Sequence, residues 1–157
     1  MVNFTPTFAK EEEKSEQIKR HESIRKYMTP ATKLISFTPD QKIGEVIGTI
    51  LNKKISGAPV LNDKKQLVGI ISEKDCLKVI IDEGYHNLPP SNHTVSNYMT
   101  KNVKTISADK DVLDAADLFL KTNYRRYPVI DEKGKLVGQI SRRDILRAAK
   151  AIKASRW

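Results

Sequence analysis

The stretches "GIISEKD" (residues 69–75) and "GQISRRD" (residues 138–144) share a skeleton of Gly, an apolar pair, Ser, two charged residues and Asp, interrupted only by Gln139. They lie 69 residues apart, and that shift lays residues 38–77 over 107–146 without a gap. Twelve of the forty aligned positions are identical: Asp40, Leu51, Pro59, Val60, Lys64, Leu67, Val68, Gly69, Ile71, Ser72, Asp75 and Leu77 each recur. Upstream, "YMT" at 27–29 recurs at 98–100 with a shift of 71, so the first copy carries two extra residues within 30–37. Two copies are too few for a solenoid. They predict a pseudo-symmetric pair packed face to face.

Within each copy the periodicity changes in the same order. Ile43, Val46, Ile47, Ile50 and Leu51 fall on one helix face, and Val112, Ala115, Ala116, Phe119 and Leu120 repeat the spacing. Asp40 and Asp109 are expected at the starts of these helices, where negative charge suits the dipole. A short run after a proline, "APVL" or "YPVI", then a polar turn and "LVGIIS" or "LVGQIS" predict a β-hairpin with a five-residue loop. "CLKVII" and "ILRAAKAI" predict a closing helix. Each copy therefore runs strand, helix, strand, strand, helix. The expected division is an N-terminal extension and polar lead-in helix (1–26), a first repeat (27–82), a linker (83–97), and a second repeat with a basic C-terminal helix (98–157).

Composition bounds the chemistry. With 157 residues and 39% apolar content, the chain can bury one ordinary core or two small interlocked ones. One cysteine, Cys76, excludes an internal disulfide framework, and no run approaches the ~20 apolar residues of a membrane span. The first residues lack a signal-peptide pattern, so a cytoplasmic protein with no membrane partner is expected. The formal net charge is +9, and residues 125–157 alone hold ten basic and three acidic side chains. That balance favours an anionic partner.

The order of elements, the "YMT" lead-in, the proline opening the second strand and the "GxxSxxD" close, twice over, resemble the cystathionine-β-synthase (CBS) domain, here as a stand-alone tandem pair of bacterial or archaeal type. The resemblance implies an α/β (α+β) fold of two pseudo-symmetric β-α-β-β-α repeats packed through their sheets. It also implies a regulatory, non-enzymatic module that binds adenine nucleotides (AMP, ADP or ATP) in clefts between the repeats. A homodimer and an unidentified effector protein follow from the same resemblance. No obligatory cofactor is implied.

Ser72 and Ser141 stand where a helix start leaves backbone N–H groups free for a ligand oxygen. The competing reading is a capping box, which Asp75 and Asp144 fit less well because Asp is shorter than Glu. The family pattern gives these carboxylates to ribose hydroxyls. It places phosphate contacts in the slots before the prolines: Ser56, Gly57 and Ala58, then Arg125, Arg126 and Tyr127. Arg suits phosphate through its planar fork. Carried over, the stronger cleft combines Thr38 and Ser56 with Arg125, Arg126, Ser141 and Asp144; the other combines Ser107, Ser56, Gly57, Arg125, Ser72 and Asp75. An adenine lining is expected from Met28, Ile35 and Ala58, or from Met99, Ile106 and Tyr127.

Cys76 is expected on an inward helix face, and His21, His86 and His93 show no metal-site spacing or catalytic triplet. His86 and His93 fall in the linker. Two other readings stay open. One is nucleic-acid binding by Arg142, Arg143, Arg147, Lys150, Lys153 and Arg156 on the last helix. The other is an S-adenosylmethionine or NAD-type ligand in the cleft.

Overall fold

Apolar stripes at helical spacing and paired five-residue strands decide the architecture. The computed structural model describes residues 22–87 and 93–154. The elements run β1 (Thr29–Pro30), α1 (Ile43–Lys53), β2 (Gly57–Leu61), β3 (Leu67–Ser72), α2 (Glu73–Tyr85), α3 (Val95–Tyr98), β4 (Ile106–Ser107), α4 (Val112–Lys121), β5 (Arg126–Ile130), β6 (Leu136–Ser141) and α5 (Arg142–Ala154). The lead-in helix lies outside the described residues except for 22–26, which form a 3-10 turn over Ile24–Lys26.

Helix α1 buries Ile43, Val46 and Ile50, and α4 buries Val112, Ala115 and Phe119. The last stripe positions, Leu51 and Leu120, are instead 70% and 87% exposed. Asp40 and Asp109 precede the helices rather than starting them. Asp111 caps α4, accepting from Asp114 N–H at 2.9 Å while Asp114 accepts from Asp111 N–H at 3.2 Å. The cap of α1 is Lys42, without a side-chain bond.

The two hairpins match residue for residue. Pro59 faces Ile70 across β2–β3, and Pro128 faces Gln139 across β5–β6. Each five-residue loop closes on an Asx acceptor. Asn62 Oδ1 accepts from Lys64 and Gln66 N–H at 3.0 and 2.9 Å, and Asp131 Oδ1 from Lys133 and Lys135 N–H at 2.9 Å. The loops then meet through reciprocal bonds, Leu67 N–H to Gly134 C=O at 3.0 Å and Leu136 N–H to Lys65 C=O at 3.1 Å. That reciprocity marks the pseudo-twofold axis.

The lead-ins cross that axis. Strand β1 pairs with β6, Thr29 opposite Gln139, in the four-stranded sheet β1-β6-β5-β4. Thr100 exchanges bonds with Ile70 of β3 at 2.9 and 2.8 Å. Ile24, fully buried, packs in one core with Ile106, Phe119 and Tyr127. Val95, also fully buried, packs in the other with Phe37, Val46 and Ile71. The repeats at 27–82 and 98–157 are thus units of sequence whose first residues lodge in the opposite lobe. Each crossing segment pairs a hairpin edge that would otherwise present unpaired backbone groups.

The exchange also corrects the expected adenine linings. Met28 packs with Tyr127 and Ile106, and Met99 with Ile35 and Ala58, the reverse of the grouping read from sequence. It explains the repeated glycine as well. A Cβ on Gly138 would meet Thr29 O at 2.5 Å, and one on Gly69 would meet Met99 Sδ at 2.6 Å and Thr100 O at 3.0 Å.

His93 is a core residue rather than part of a free linker. It is 8% exposed, and Ile43 N–H donates to its carbonyl at 3.1 Å. Tyr98 donates its hydroxyl to Asp82 Oδ2 at 2.7 Å and lies 2.9 Å from His93 Nδ1. His93 Nε2 is buried without a hydrogen-bond partner among the described residues. Burial first, then the Asp82 hydrogen bond and charge, push the Tyr98 phenol up to about 12.

Gly138→Ala should lower the unfolding free energy by about 1–3 kcal/mol, as overpacking against backbone does. Gly69→Ala should lower it less, because its closest contact is the flexible end of Met99. Urea denaturation of both variants checks the order. A Gly138→Ala protein as stable as the parent would mean that β1 does not seat against β6.

Candidate functional site

Helices α2 and α5 begin at the serines of the two quoted stretches. Asp75 N–H donates to Ser72 Oγ at 3.2 Å, and Asp75 Oδ2 accepts from Ser72 N–H at 2.9 Å and its hydroxyl at 2.8 Å. In the second repeat Asp144 N–H donates to Ser141 Oγ at 3.2 Å, and Ser141 N–H to Asp144 Oδ2 at 2.8 Å. Asp therefore does reach. A helical Cβ tilts toward the N-terminus, which brings even the shorter side chain back to the cap. The other oxygens face cations, Lys78 at 3.4 Å from Asp75 Oδ1 and Arg147 against Asp144 Oδ1. Both carboxylates are buried, at 6% and 4% exposure. They are thus fully engaged by their own helices.

Ser107 donates its hydroxyl to Asp109, and that bond, ahead of all other causes, holds the Asp109 carboxyl below its usual range. Thr38 and Arg125 are exposed. Tyr127 is 2% exposed, packed 5.2 Å from the Phe119 ring and 5.5 Å from Tyr124. It is a core residue, because β5 turns alternate side chains inward and Tyr127 falls on the inward set with Val129. Cys76 is buried, and its thiol is pushed up by burial and then by the charges of Asp75 and Glu73. Such a thiol makes a poor nucleophile.

Between the hairpins lies a cavity of about 170 Å³. Ser56, Gly57, Ala58 and Ser72 line it from the first repeat, and Arg126 and Gln139 from the second. Its floor is apolar, from Leu34, Pro59, Ile70, Pro128 and Leu136. A shallower space of about 400 Å³ shares Ser56, Arg126 and Gln139 and adds Lys33, Lys54 and Glu73. Of the twelve sequence candidates, Ser56, Gly57, Ala58, Ser72 and Arg126 come together, while Thr38, Asp75, Ser107, Arg125, Tyr127, Ser141 and Asp144 do not line these spaces.

Sequence reasoning missed Gln139, Lys33 and Lys54. Gln139 did carry a signal, as the one polar residue in an otherwise apolar pair. An apolar floor with a guanidinium at its mouth suits a flat ring joined to an anion. Among the described residues no three His, Cys, Asp or Glu side chains gather as a metal site, and no helix is long and apolar enough to cross a membrane.

The model of the CBS domain family matches residues 24–82 and 95–151, starting at the two crossing lead-ins. The chain is 30% identical over 127 residues to the uncharacterized protein MJ1225 of Methanocaldococcus jannaschii, covering 81% of this chain and 42% of that protein. It is 32% identical over 142 residues to inosine-5'-monophosphate dehydrogenase of the same organism, covering 90% of this chain and 27% of the enzyme. The chain thus spans less than half the length of these two relatives. The crystal structure of CBSX2 in complex with AMP, a protein of Arabidopsis thaliana, superposes with a TM-score of 0.70 at 32% identity, covering 84% of this chain and 98% of that chain.

Asp144→Ala should cost about 1–2 kcal/mol of stability without any ligand, since it removes a cap and strands a Ser141 N–H. Chemical denaturation of the ligand-free variant measures this. A variant as stable as the parent would show that the capping box contributes nothing.

Proposed function

The chain belongs to the CBS-domain family, and from that premise we propose a regulatory module that binds an adenine nucleotide between its repeats and signals to a partner. One observation carries the reading. Arg126 and Gln139 from one repeat and Ser56 and Ser72 from the other converge on one apolar-floored cavity, in the fold for which CBSX2 has been solved with AMP. The ring sits on the floor beside Ala58, Pro59 and Ile70, and Arg126 takes the phosphate. Ser72 keeps its capping bond while its hydroxyl meets the sugar.

Because the ligand touches both repeats, it shifts their arrangement by the difference in its affinity for two arrangements. No group in the cavity is a plausible nucleophile or base, so the module is read as non-catalytic. Where the family occurs inside an enzyme, as in the dehydrogenase relative, this reading makes the pair a regulatory part.

The partner surface is also argued from the repeat. Leu51 and Leu120 are equivalent, as are Leu77 and Leu146, and all four are 60–87% exposed. Ile80, Ile81 and Tyr85 extend the patch on α2. A face of equivalent leucines on both repeats suits a second copy of the chain across a twofold axis.

Calorimetric titration with AMP, ADP, ATP and S-adenosylmethionine should show binding by at least one. Arg126→Ala should weaken a phosphorylated ligand about tenfold or more, the worth of one charge-assisted pair. Absence of binding by all four at millimolar concentration overturns the proposal. Light scattering should give a dimer for the parent and a monomer for Leu77→Glu with Leu146→Glu. A monomeric parent overturns the partner surface.

A further inference from the structure

Three cations, Lys33, Lys54 and Arg126, meet at the mouth of the cavity against one carboxylate, Glu73. None of the three forms an ion pair among the described residues. They arrive there by separate routes. Lys33 closes the 3-10 turn Ala31–Lys33, in the segment where the first repeat is two residues longer than the second. That turn packs on β6, beside Gln139. The second repeat has no such turn among its described elements.

Lys54 caps α1 with φ 52° and ψ 43°. That left-handed conformation favours Gly or Asn, and the second repeat, whose helix α4 ends at an extended Thr122, does not repeat it at the equivalent Asn123. A lysine held there carries backbone strain, as Lys65 does in the first hairpin loop. Arg126 comes from β5 of the opposite repeat.

A single phosphate is matched by the Arg126 fork. Lys33 and Lys54 add two cations, of which Glu73 offsets one, and like charges gathered at one mouth repel until an anion joins them. We propose that this site selects nucleoside 5'-di- or triphosphates over monophosphates. Arg126 holds the first phosphate, and Lys33 and Lys54 hold those beyond it. The inference rests on the reading of the cavity as a nucleotide site.

The test is calorimetric titration of the full chain with AMP, ADP and ATP in magnesium-free buffer. ATP should bind about tenfold tighter than AMP, and Lys33→Ala and Lys54→Gly should each weaken ATP about two- to fivefold, the range of exposed ion pairs. AMP affinity should change less than about twofold on the same argument. Lys54→Gly relieves the left-handed strain, so it should melt no lower than the parent, which separates lost affinity from lost folding. AMP bound as tightly as ATP, or equal weakening of both nucleotides in the variants, overturns the inference while leaving the nucleotide site standing. No binding by any nucleotide overturns the site itself.

Discussion

The backbone contact between Thr29 and Gly138, with its counterpart between Thr100 and Gly69, is the constraint on which the rest depends. Each crossing lead-in saturates the open edge of the opposite hairpin and drops one fully buried aliphatic, Ile24 or Val95, into the opposite core. Neither lobe is complete alone, so the two repeats are locked into one cooperative unit. The cavity sits where that lock brings β2 and β3 of one repeat beside β5 and β6 of the other. A ligand bound there would press on the contact that holds the lobes together, which gives the proposed binding a route to the rest of the fold.

The helix starts add rigidity on both flanks of the cavity. Buried Asp75 and Asp144 fix Ser72 and Ser141 in register with their own helices, and Ser72 lines the cavity as a consequence. A preorganised hydroxyl costs a ligand less ordering than a mobile one. Cap and site are therefore one device. The lysine and arginine that close over each carboxylate are 62% exposed, so their hold is weak and exchangeable.

Helix stripes, hairpin loops and the repeat were legible because period and turn chemistry are local properties. Asn62 and Asp131 announce the five-residue loops, and Val46 and Ala115 the buried faces. The exchange of lead-ins was not legible. "YMT" occurs before both repeats, so pairing within a lobe and pairing across lobes leave the same pattern in the chain. Only the glycines hinted at a close backbone approach. The candidate site was half legible. Ser56, Ser72 and Arg126, named from the motif, do line the cavity, while Tyr127 does not, because its ring packs into the core against Phe119 and Tyr124. Lys54 could be seen only once its left-handed backbone was known.

The repeat itself separates what the fold needs from what the site needs. Positions identical in both copies include Pro59 and Pro128, Gly69 and Gly138, Ile71 and Ile140, and Asp75 and Asp144. These are hairpin, crossing, core and capping positions, and each is explained without a ligand. Positions that differ at the cavity include Ser56 against Arg125, Gly57 against Arg126, Ala58 against Tyr127, Ile70 against Gln139, Glu73 against Arg142 and Lys54 against Asn123. Among them, Arg126 and Gln139 set a charged and a polar residue against a small and an apolar one. Polarity gathers where the symmetry breaks, and it gathers at one mouth. That concentration of positive charge, without an ion pair among the described residues, is the asymmetry on which the proposed anion site rests.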